Sequence, residues 1–206
     1  MNFLRHLDDR LLVDANTLAR RTGWLHAPFV DYAKYGVVLF VVLLVAGLLL
    51  ARTREARLLA AAAWACLAPI LAVAVNQPVG HLFHEARPYA THPQLLVLAS
   101  RTTDFSFPSD HAVMAGATAA GLLLVSLRLG LLAIAAALLM AFARVYISAH
   151  YPWDVLAGLA FGAAVALLGW LLLRHPLTAL ARRLRRLPGI RAAFGGPTSN
   201  GTVSAA

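Results

Sequence analysis

The stretch Val155–Leu173, VLAGLAFGAAVALLGWLLL, carries no charged side chain and is long enough for one helix to cross a bilayer. The 206-residue chain as a whole is 60% hydrophobic and 13% charged, whereas a soluble domain carries about a quarter charged residues. We therefore expect an all-α, polytopic membrane bundle of about five transmembrane helices. The other four apolar stretches cover roughly residues 33–51, 58–75, 112–127 and 129–143.

The third and fourth of these stretches are separated only by Arg128, with Gly130 beside it. One continuous helix over both would be about 48 Å long, which exceeds the ~30 Å hydrocarbon core of a bilayer. The sequence therefore predicts a tight helical hairpin at this point.

Residues 1–28 precede the predicted membrane domain and contain too many charges for a cleavable signal peptide. Their apolar residues recur at helical spacing, which is typical of an amphipathic helix that lies in the membrane interface. A helix packed on the rest of the protein is the alternative. The apolar stripe consists of Leu4, Leu7, Leu11, Ala15 and Leu18.

The distribution of arginines predicts the orientation. The net charge is +9, but the arginines lie beside apolar stretches, which indicates membrane topology and anionic lipids rather than nucleic-acid binding. Five crossings place all the clusters on one side, expected to be the cytoplasm, and residues 76–111 and 144–154 on the other. Residues 29–175 then form the membrane domain, and residues 176–206 a basic, partly disordered cytoplasmic tail. The clustered arginines are Arg52, Arg54, Arg57, Arg128, Arg182, Arg183, Arg185, Arg186 and Arg191.

His150 and Asp154 stand one helical turn apart, just before the fifth apolar stretch. A carboxylate at that spacing can hydrogen-bond one ring nitrogen and leave the other free as a nucleophile. In the alternative interpretation, His150 caps a helix end and Asp154 only interacts with the helix dipole. Arg144, at the end of the fourth stretch, favours the catalytic interpretation because a charge there has no packing purpose.

A second polar group, Pro108-Ser109-Asp110-His111, runs directly into the third apolar stretch. Unpaired amides and the helix dipole favour an anion there, which predicts a phosphate site, although Ser109 and Asp110 could simply cap the helix. Capping does not require His111, and a histidine suits proton transfer to a leaving oxygen. Arg87 presents a guanidinium fork that matches phosphate oxygens.

Three further histidines, His81, His84 and His92, raise the question of a metal site. No carboxylate or cysteine stands at ligand spacing with them, so we expect neither a metal nor another cofactor. The single cysteine, Cys66, lies inside an apolar stretch and is interpreted as a small packing residue.

Together these groups resemble the three-part signature of the type 2 phosphatidic acid phosphatase superfamily. That signature reads Lys-x6-Arg-Pro, Pro-Ser-Gly-His and Ser-Arg-x5-His-x3-Asp, and the resemblance covers about residues 30–175. Gly80 stands in place of its lysine, Asp110 in place of its glycine and Ala143 in place of its serine. The form without the lysine looks most like the bacterial undecaprenyl-diphosphate phosphatases of the bacitracin-resistance type, which the run Tyr32–Gly36 also resembles.

The resemblance implies a phosphatase in the bacterial inner membrane with its site on the extracytoplasmic face. It would convert a polyprenyl (undecaprenyl) diphosphate to the monophosphate and phosphate through a phosphohistidine, without a cofactor. The other expected partners are membrane lipids, no nucleic acid is expected, and the sequence does not set the oligomeric state. The implied roles are nucleophile for His150, orienting carboxylate for Asp154, acid and then base for His111, and phosphate binding for Arg87, Ser109, Asp110 and Arg144.

Alternative functions remain open at this stage. The substrate could be phosphatidic acid, phosphatidylglycerophosphate or lipid A, and a second lipid could replace water as the phosphoryl acceptor. A non-catalytic lipid-binding or transport protein is disfavoured, because a binder has no need of a poised nucleophile. His81 or His84 is the candidate to supply the charge that Gly80 lacks.

Overall fold

The computed structural model describes residues 2–187 as a bundle of α-helices, and no strand occurs in that part of the chain. The prediction of an all-α, polytopic membrane bundle is confirmed. A short 3₁₀ turn, Gly23–Leu25, links the first two helices. The helices are α1 (Asn2–Arg21), α2 (His26–Tyr35), α3 (Val37–Ala51), α4 (Ala56–Phe83), α5 (Pro88–Thr91), α6 (Asp110–Leu123), α7 (Leu127–Tyr146) and α8 (Pro152–Leu184).

Three helices of the described chain are long and apolar enough to cross a membrane: α4, which the short α5 continues, α7 and α8. A fourth crossing is obtained if the bent pair α2 and α3 counts as one span. The third predicted segment is α6, whose 14 residues are about 21 Å long and shorter than the hydrocarbon core. Because α4, α7 and α8 enclose it, α6 buries its surface in protein and does not need the length of a lipid-exposed helix.

The first predicted segment is not one straight helix from Ala33. Instead, α2 and α3 meet at Gly36 with a bend of 51°. A Cβ on Gly36 would stand 2.8 Å from the side-chain methyl of Met140, so glycine permits the close contact with α7. After the bend, α2 packs along α7, and the Tyr32 hydroxyl donates to the Ala136 carbonyl in the middle of that helix (2.8 Å). This change of direction brings α2 to the polar end of the bundle.

The N-terminal segment forms α1, and two of its faces have different environments. Leu12, Asn16 and Ala19 are buried against the protein. Three residues of the predicted apolar stripe face outward, since Leu7 and Leu18 are 43% exposed and Leu11 is 46% exposed, whereas Ala15 packs on the core. The helix therefore packs on the rest of the protein and still presents an apolar stripe outward, which is the geometry that an interfacial helix needs.

The predicted domain boundaries fall inside helices. Residue 28 lies within α2, and α8 continues past residue 175 to Leu184 because a helix can outlast its apolar run once arginines reach the interface. The predicted disorder from Gly195, and Arg191, lie outside the described residues.

Glycines allow α6 and α8 to approach closely. A Cβ on Gly158 would stand 2.8 Å from the carbonyl oxygen of Ser109, and one on Gly162 would overlap the carbonyl oxygen of Val113. The two helix N-termini consequently meet, and the Ser109 N–H donates to the carbonyl of Asp154 (3.2 Å). Helix packing in the bundle thus sets the spacing between the two predicted catalytic motifs.

The helices α4, α6, α7 and α8 alternate in direction, so the loops collect at two ends. At one end, residues 76–111 meet residues 144–154, as predicted. At the other end, α6 turns into α7 through the predicted hairpin, and Arg185 donates to the carbonyl of Arg52 (3.0 Å). The arginine-rich loops and the polar motifs are therefore at opposite ends.

The close contact of α6 with α8 predicts that Gly162→Ala destabilises the protein. The added methyl group has to displace the α6 backbone, and overpacking of this kind costs about 1–3 kcal/mol. Thermal unfolding of the detergent-solubilised protein should show a clearly lowered Tm. Gly23→Ala is the control, because nothing lies within 4 Å of the added atom. Equal Tm values for the two variants would contradict the packing argument.

The positive-inside rule predicts that the arginine-rich end faces the cytoplasm. In a Cys66→Ser background, Thr103→Cys would report the polar end and Thr53→Cys the arginine-rich end, since both positions are exposed. In intact spheroplasts, a membrane-impermeant maleimide should label the cysteine at position 103 and reach the one at position 53 only after lysis. The reverse labelling pattern would invert the orientation.

Candidate active site

A cavity of about 330 Å³ opens at the polar end of the bundle, where four helix ends and two loops meet. Its size lies at the lower end of the range for small-molecule sites. Five of the seven predicted site residues line it: Arg87, Asp110, His111, Arg144 and His150. The other lining residues are Val30, Ala33, Lys34, Leu98, Ala99, Ser100, Thr102, Asp104, Phe105, Pro108 and Ile147.

The imidazole of His150 is held by contacts at both ring nitrogens. Its side chain is only 2% exposed, and Nδ1 lies 2.8 Å from the backbone carbonyl oxygen of Ser106. A carbonyl oxygen only accepts, so the proton is on Nδ1 and Nε2 carries the lone pair. Nε2 accepts from Nη1 of Arg87 at 3.1 Å. The ring therefore presents its nucleophilic nitrogen toward a guanidinium.

The protonation state of His150 follows from its surroundings. Burial, reinforced by the guanidinium charges of Arg144 and Arg87, holds the pKa of His150 well below its ordinary value of 6.5. The folded protein consequently keeps the imidazole neutral at neutral pH. A neutral imidazole has the lone pair that a nucleophile needs.

Asp154 acts on this ring largely through Ser106, which the sequence analysis did not identify. The Asp154 carboxylate accepts from the Ser106 hydroxyl at 2.5 Å and from the Tyr151 N–H at 2.9 Å, while its distance to Nδ1 of His150 is 3.4 Å. The expected direct hydrogen bond from the ring to Asp154 is therefore replaced by the bond to the Ser106 carbonyl. Helix capping and ring support, posed above as alternatives, coexist in this carboxylate.

Arg87 has a second partner that the sequence did not reveal, Asp104. The guanidinium forms a two-pronged contact with the Asp104 carboxylate at 2.9 and 3.2 Å and also donates to the carbonyl of Ala149 (2.9 Å). Partial burial acts to raise the pKa of Asp104, but hydrogen bonds from Thr102 and Arg87 leave it below its ordinary value. The two side chains differ in exposure, since Arg87 is 8% exposed and Asp104 is 60% exposed.

Arg144 differs from Arg87 in having no carboxylate partner among residues 2–187. Its Nε is buried and makes no hydrogen bond within the described chain. A buried donor without a partner is unfavourable unless a ligand or solvent group satisfies it. Because the guanidinium borders the cavity together with His111, the cavity is suited to an anion.

The two remaining predicted residues of the α6 N-terminus are held in different ways. The Asp110 carboxylate borders the cavity and accepts from Asn76 (2.7 Å) and Gln77 (3.0 and 3.1 Å), both on α4. Ser109 is fully buried behind the cavity wall, and its hydroxyl neither caps α6 nor has a partner in the described chain. The backbone amides at the start of α6 remain the groups best placed for an anion.

The three histidines considered for a metal site fall into two places. His81 and His84 both pack edge-on against Phe105, with ring centroids 5.3 and 4.7 Å away, and His92 contacts Tyr151. Neither His81 nor His84 borders the cavity. Besides the predicted Arg87 and Arg144, the cation that borders it is Lys34 of α2.

Asn16 of α1 supports the loop that carries His150, a role that no sequence pattern indicated. The side chain is buried and bridges two loops: Nδ2 donates to Ser148 Oγ (2.9 Å) and to the carbonyl of Leu96 (2.8 Å), and Oδ1 accepts from the Leu96 N–H (3.1 Å). Ser148 has φ of 60°, a left-handed conformation that costs free energy for any residue with a Cβ. The hydrogen bonds of Asn16 help to hold that conformation two residues before His150.

The family follows from comparison with known proteins. A family model described as the PAP2 superfamily matches residues 61–176, more than half of the chain. The chain belongs to this superfamily. The match includes both motifs with their histidines, but α1 and α2, which carry Asn16 and Lys34, lie before it.

Curated relatives and a solved structure agree with this assignment. The chain is 31% identical over 100 residues to an undecaprenyl-diphosphatase of Sulfolobus acidocaldarius, covering 48% of each chain. It is 27% identical over 151 residues to the undecaprenyl-diphosphatase BcrC of Bacillus subtilis, covering 73% of this chain and 76% of that one. The chain thus spans about half the length of the Sulfolobus relative, and further relatives are named lipid A 1-phosphatase.

The solved structure is a transmembrane PAP2-type phosphatidylglycerolphosphate phosphatase from Bacillus subtilis. It superposes with a TM-score of 0.62 at 18% identity and covers 91% of this chain and 90% of that one. The likeness extends over nearly the whole helical bundle and supports a multi-pass membrane protein with the PAP2 fold.

The contacts of Asn16 predict that Asn16→Ala loosens the loop that holds His150. Loss of a buried amide whose hydrogen bonds are all formed costs about 1–3 kcal/mol. That cost is equivalent to roughly 5- to 150-fold more frequent opening of the two loops that it bridges. Hydrogen–deuterium exchange should quicken in residues 94–99 and 147–151.

Thr17→Ala is the matched control on the same helix, because its hydroxyl bonds only the Val13 carbonyl one turn away. If Asn16→Ala and Thr17→Ala gave the same exchange in both loops, Asn16 would have no supporting role.

Proposed function

We propose that this protein is a membrane phosphatase that hydrolyses a polyprenyl diphosphate, such as undecaprenyl diphosphate, to the lipid monophosphate and phosphate. The observation that carries the proposal is the imidazole of His150, neutral and with Nε2 turned toward the cavity beside Arg87. A protein that only bound or carried a lipid would need the arginines but not a nucleophile fixed in one tautomer.

In the first step the lone pair of Nε2 attacks the terminal phosphorus of the diphosphate. The bond from that phosphorus to the bridging oxygen breaks, and the lipid monophosphate leaves with the electron pair. His111, which borders the same cavity, gives the leaving oxygen a proton. The guanidiniums of Arg87 and Arg144 and the first amides of α6 stabilise the charge on the transferring phosphoryl group.

In the second step His111, now neutral, takes a proton from a water molecule whose oxygen attacks the phosphohistidine. The P–N bond breaks, its electron pair returns to Nε2, and phosphate is released. Throughout both steps Nδ1 keeps its proton and donates a hydrogen bond to the Ser106 carbonyl. Asp154, hydrogen-bonded to the Ser106 hydroxyl, stabilises the positive charge on the phosphorylated ring.

The Arg87–Asp104 pair suggests how the substrate gains its binding site. Asp104 is largely exposed, so its carboxylate can return to solvent at small cost when a phosphate oxygen replaces it on the guanidinium. Arg144 needs no such exchange because it has no carboxylate partner in the described chain. We infer that the terminal phosphate binds between the two arginines.

The substrate class rests on the relatives and on the membrane setting. Two curated relatives are named for undecaprenyl diphosphate, whose polyprenyl chain would lie among or beside the apolar helices. We place the protein in the bacterial inner membrane with the cavity outward, where the positive-inside rule puts the polar end. Because other relatives are named lipid A 1-phosphatase, a lipid monophosphate substrate is the second candidate, and the same residues would serve it.

The proposed roles predict the effects of two histidine substitutions. His150→Ala should abolish phosphate release from undecaprenyl diphosphate, because no other group can form the phosphoenzyme. His111→Ala should slow release by roughly 10²–10⁴-fold, the usual effect of a lost acid–base group. Phosphate release by purified protein in detergent is the measurement.

The matched control is His175→Ala, since His175 is exposed on α8, toward its far end. It should keep wild-type activity. A His150→Ala protein that retains more than a few per cent of activity would remove His150 from the nucleophile's role, whatever the lipid.

A further inference from the structure

Lys34 is the only lysine in the chain, and it stands on the wall of the catalytic cavity. It belongs to α2, an element outside the residues that match the family model. The bend at Gly36 turns α2 toward the site, so that Val30, Ala33 and Lys34 form one side of the cavity. The cavity therefore has three permanent cations: Lys34, Arg87 and Arg144.

The three cations lie at different depths. Arg87 is buried and touches Nε2 of His150, and Arg144 is partly buried. Lys34 is exposed and borders the cavity, so it lies at the solvent side of the site. Its closest recorded contact is the ring of Tyr35, 5.0 Å from the centroid, and no carboxylate of the described chain lies within ion-pair distance. The ammonium therefore has an aromatic contact with Tyr35 but no carboxylate that neutralises its charge in the described chain.

A lipid diphosphate has a second phosphoryl group, and Arg87 and Arg144, which bind the terminal one in the proposed function, do not bind it. If the terminal phosphorus is at Nε2 of His150, the lipid-linked phosphate lies farther out along the cavity. The exposed histidines His81 and His84 pack on Phe105 and do not border this space. Of the three cations that border the cavity, Lys34 is the one that the terminal phosphate does not use.

We propose that Lys34 binds the lipid-linked phosphate, the leaving group, and so makes the site selective for lipid diphosphates over lipid monophosphates. This inference rests on the proposed function, because it takes His150 as the group at the terminal phosphorus. The ammonium stabilises the charge that develops on the leaving oxygen while His111 protonates it. A lipid monophosphate has no second phosphoryl group and does not use this contact.

The test compares Lys34→Met and Lys34→Arg on two substrates, undecaprenyl diphosphate and phosphatidic acid. Lys34→Met should reduce kcat/KM for the diphosphate roughly 10- to 100-fold, as expected for a lost charged hydrogen bond, with part of the loss in kcat. The loss on phosphatidic acid should be far smaller. Lys34→Arg should recover most of the diphosphate activity because it restores a cation.

Arg101→Met is the matched control, since Arg101 is an exposed cation at the same end that packs over Tyr89 and does not border the cavity. It should leave the ratio of the two activities unchanged. Equal losses on both substrates for Lys34→Met, or no loss on either, would overturn the inference.

A second measurement does not depend on turnover. Because the chain has one lysine, acylation by an amine reagent marks Lys34, and the N-terminal amine serves as the internal reference. Inorganic pyrophosphate should slow acylation of Lys34 more than inorganic phosphate does, in wild type and in His150→Ala alike. Absence of phosphate release from every lipid would defeat the proposed function, whereas equal protection by the two anions would defeat the role of Lys34.

Discussion

The hydrogen bond from Nδ1 of His150 to the carbonyl of Ser106, 2.8 Å long, is the interaction on which the rest of the site depends. It selects one tautomer and so decides that Nε2 faces Arg87 and the cavity. A buried imidazole without it could take either tautomer or turn its ring, and the lone pair would no longer have a fixed direction. A backbone acceptor is also independent of the protonation state of any neighbouring side chain.

That hydrogen bond requires two loops from distant parts of the chain to be held in register. The Ser106 loop leads into α6 and the His150 loop leads into α8, so the distance between the loops is set by the contact of those helices. Gly158 and Gly162 bring the helices close, and Asn16 fixes the His150 loop from the opposite side. The hydrogen bonds at the polar end therefore depend on how the helices of the bundle pack.

The sequence predicted the helices, the hairpin and the principal motif residues because these depend on local patterns: apolar length, turn residues and spacing within one helix. It did not reveal Ser106, Asp104 or Asn16, whose partners lie far away in the chain and leave no periodic signal. It also joined the end of α2 to α3 in one straight segment, because the unbroken apolar run gives no sign of the 51° bend at Gly36. Asp154 does lie beside the ring, 3.4 Å from Nδ1 of His150, but the hydrogen bonds that Ser106 makes to both residues cannot be read from spacing.

The electrostatics of the cavity connect substrate binding with the reactivity of the nucleophile. The guanidiniums of Arg87 and Arg144 both favour the neutral form of His150, so the charges proposed to bind phosphate also keep the attacking lone pair available. Under the proposed mechanism, a phosphate between them cancels much of that positive potential. When the imidazole is phosphorylated it becomes cationic. At that stage the phosphate neutralises the charges of the arginines, and the Asp154 carboxylate still accepts the hydrogen bond from the Ser106 hydroxyl. The same few charges can thus favour a neutral histidine before attack and tolerate a positive one after it.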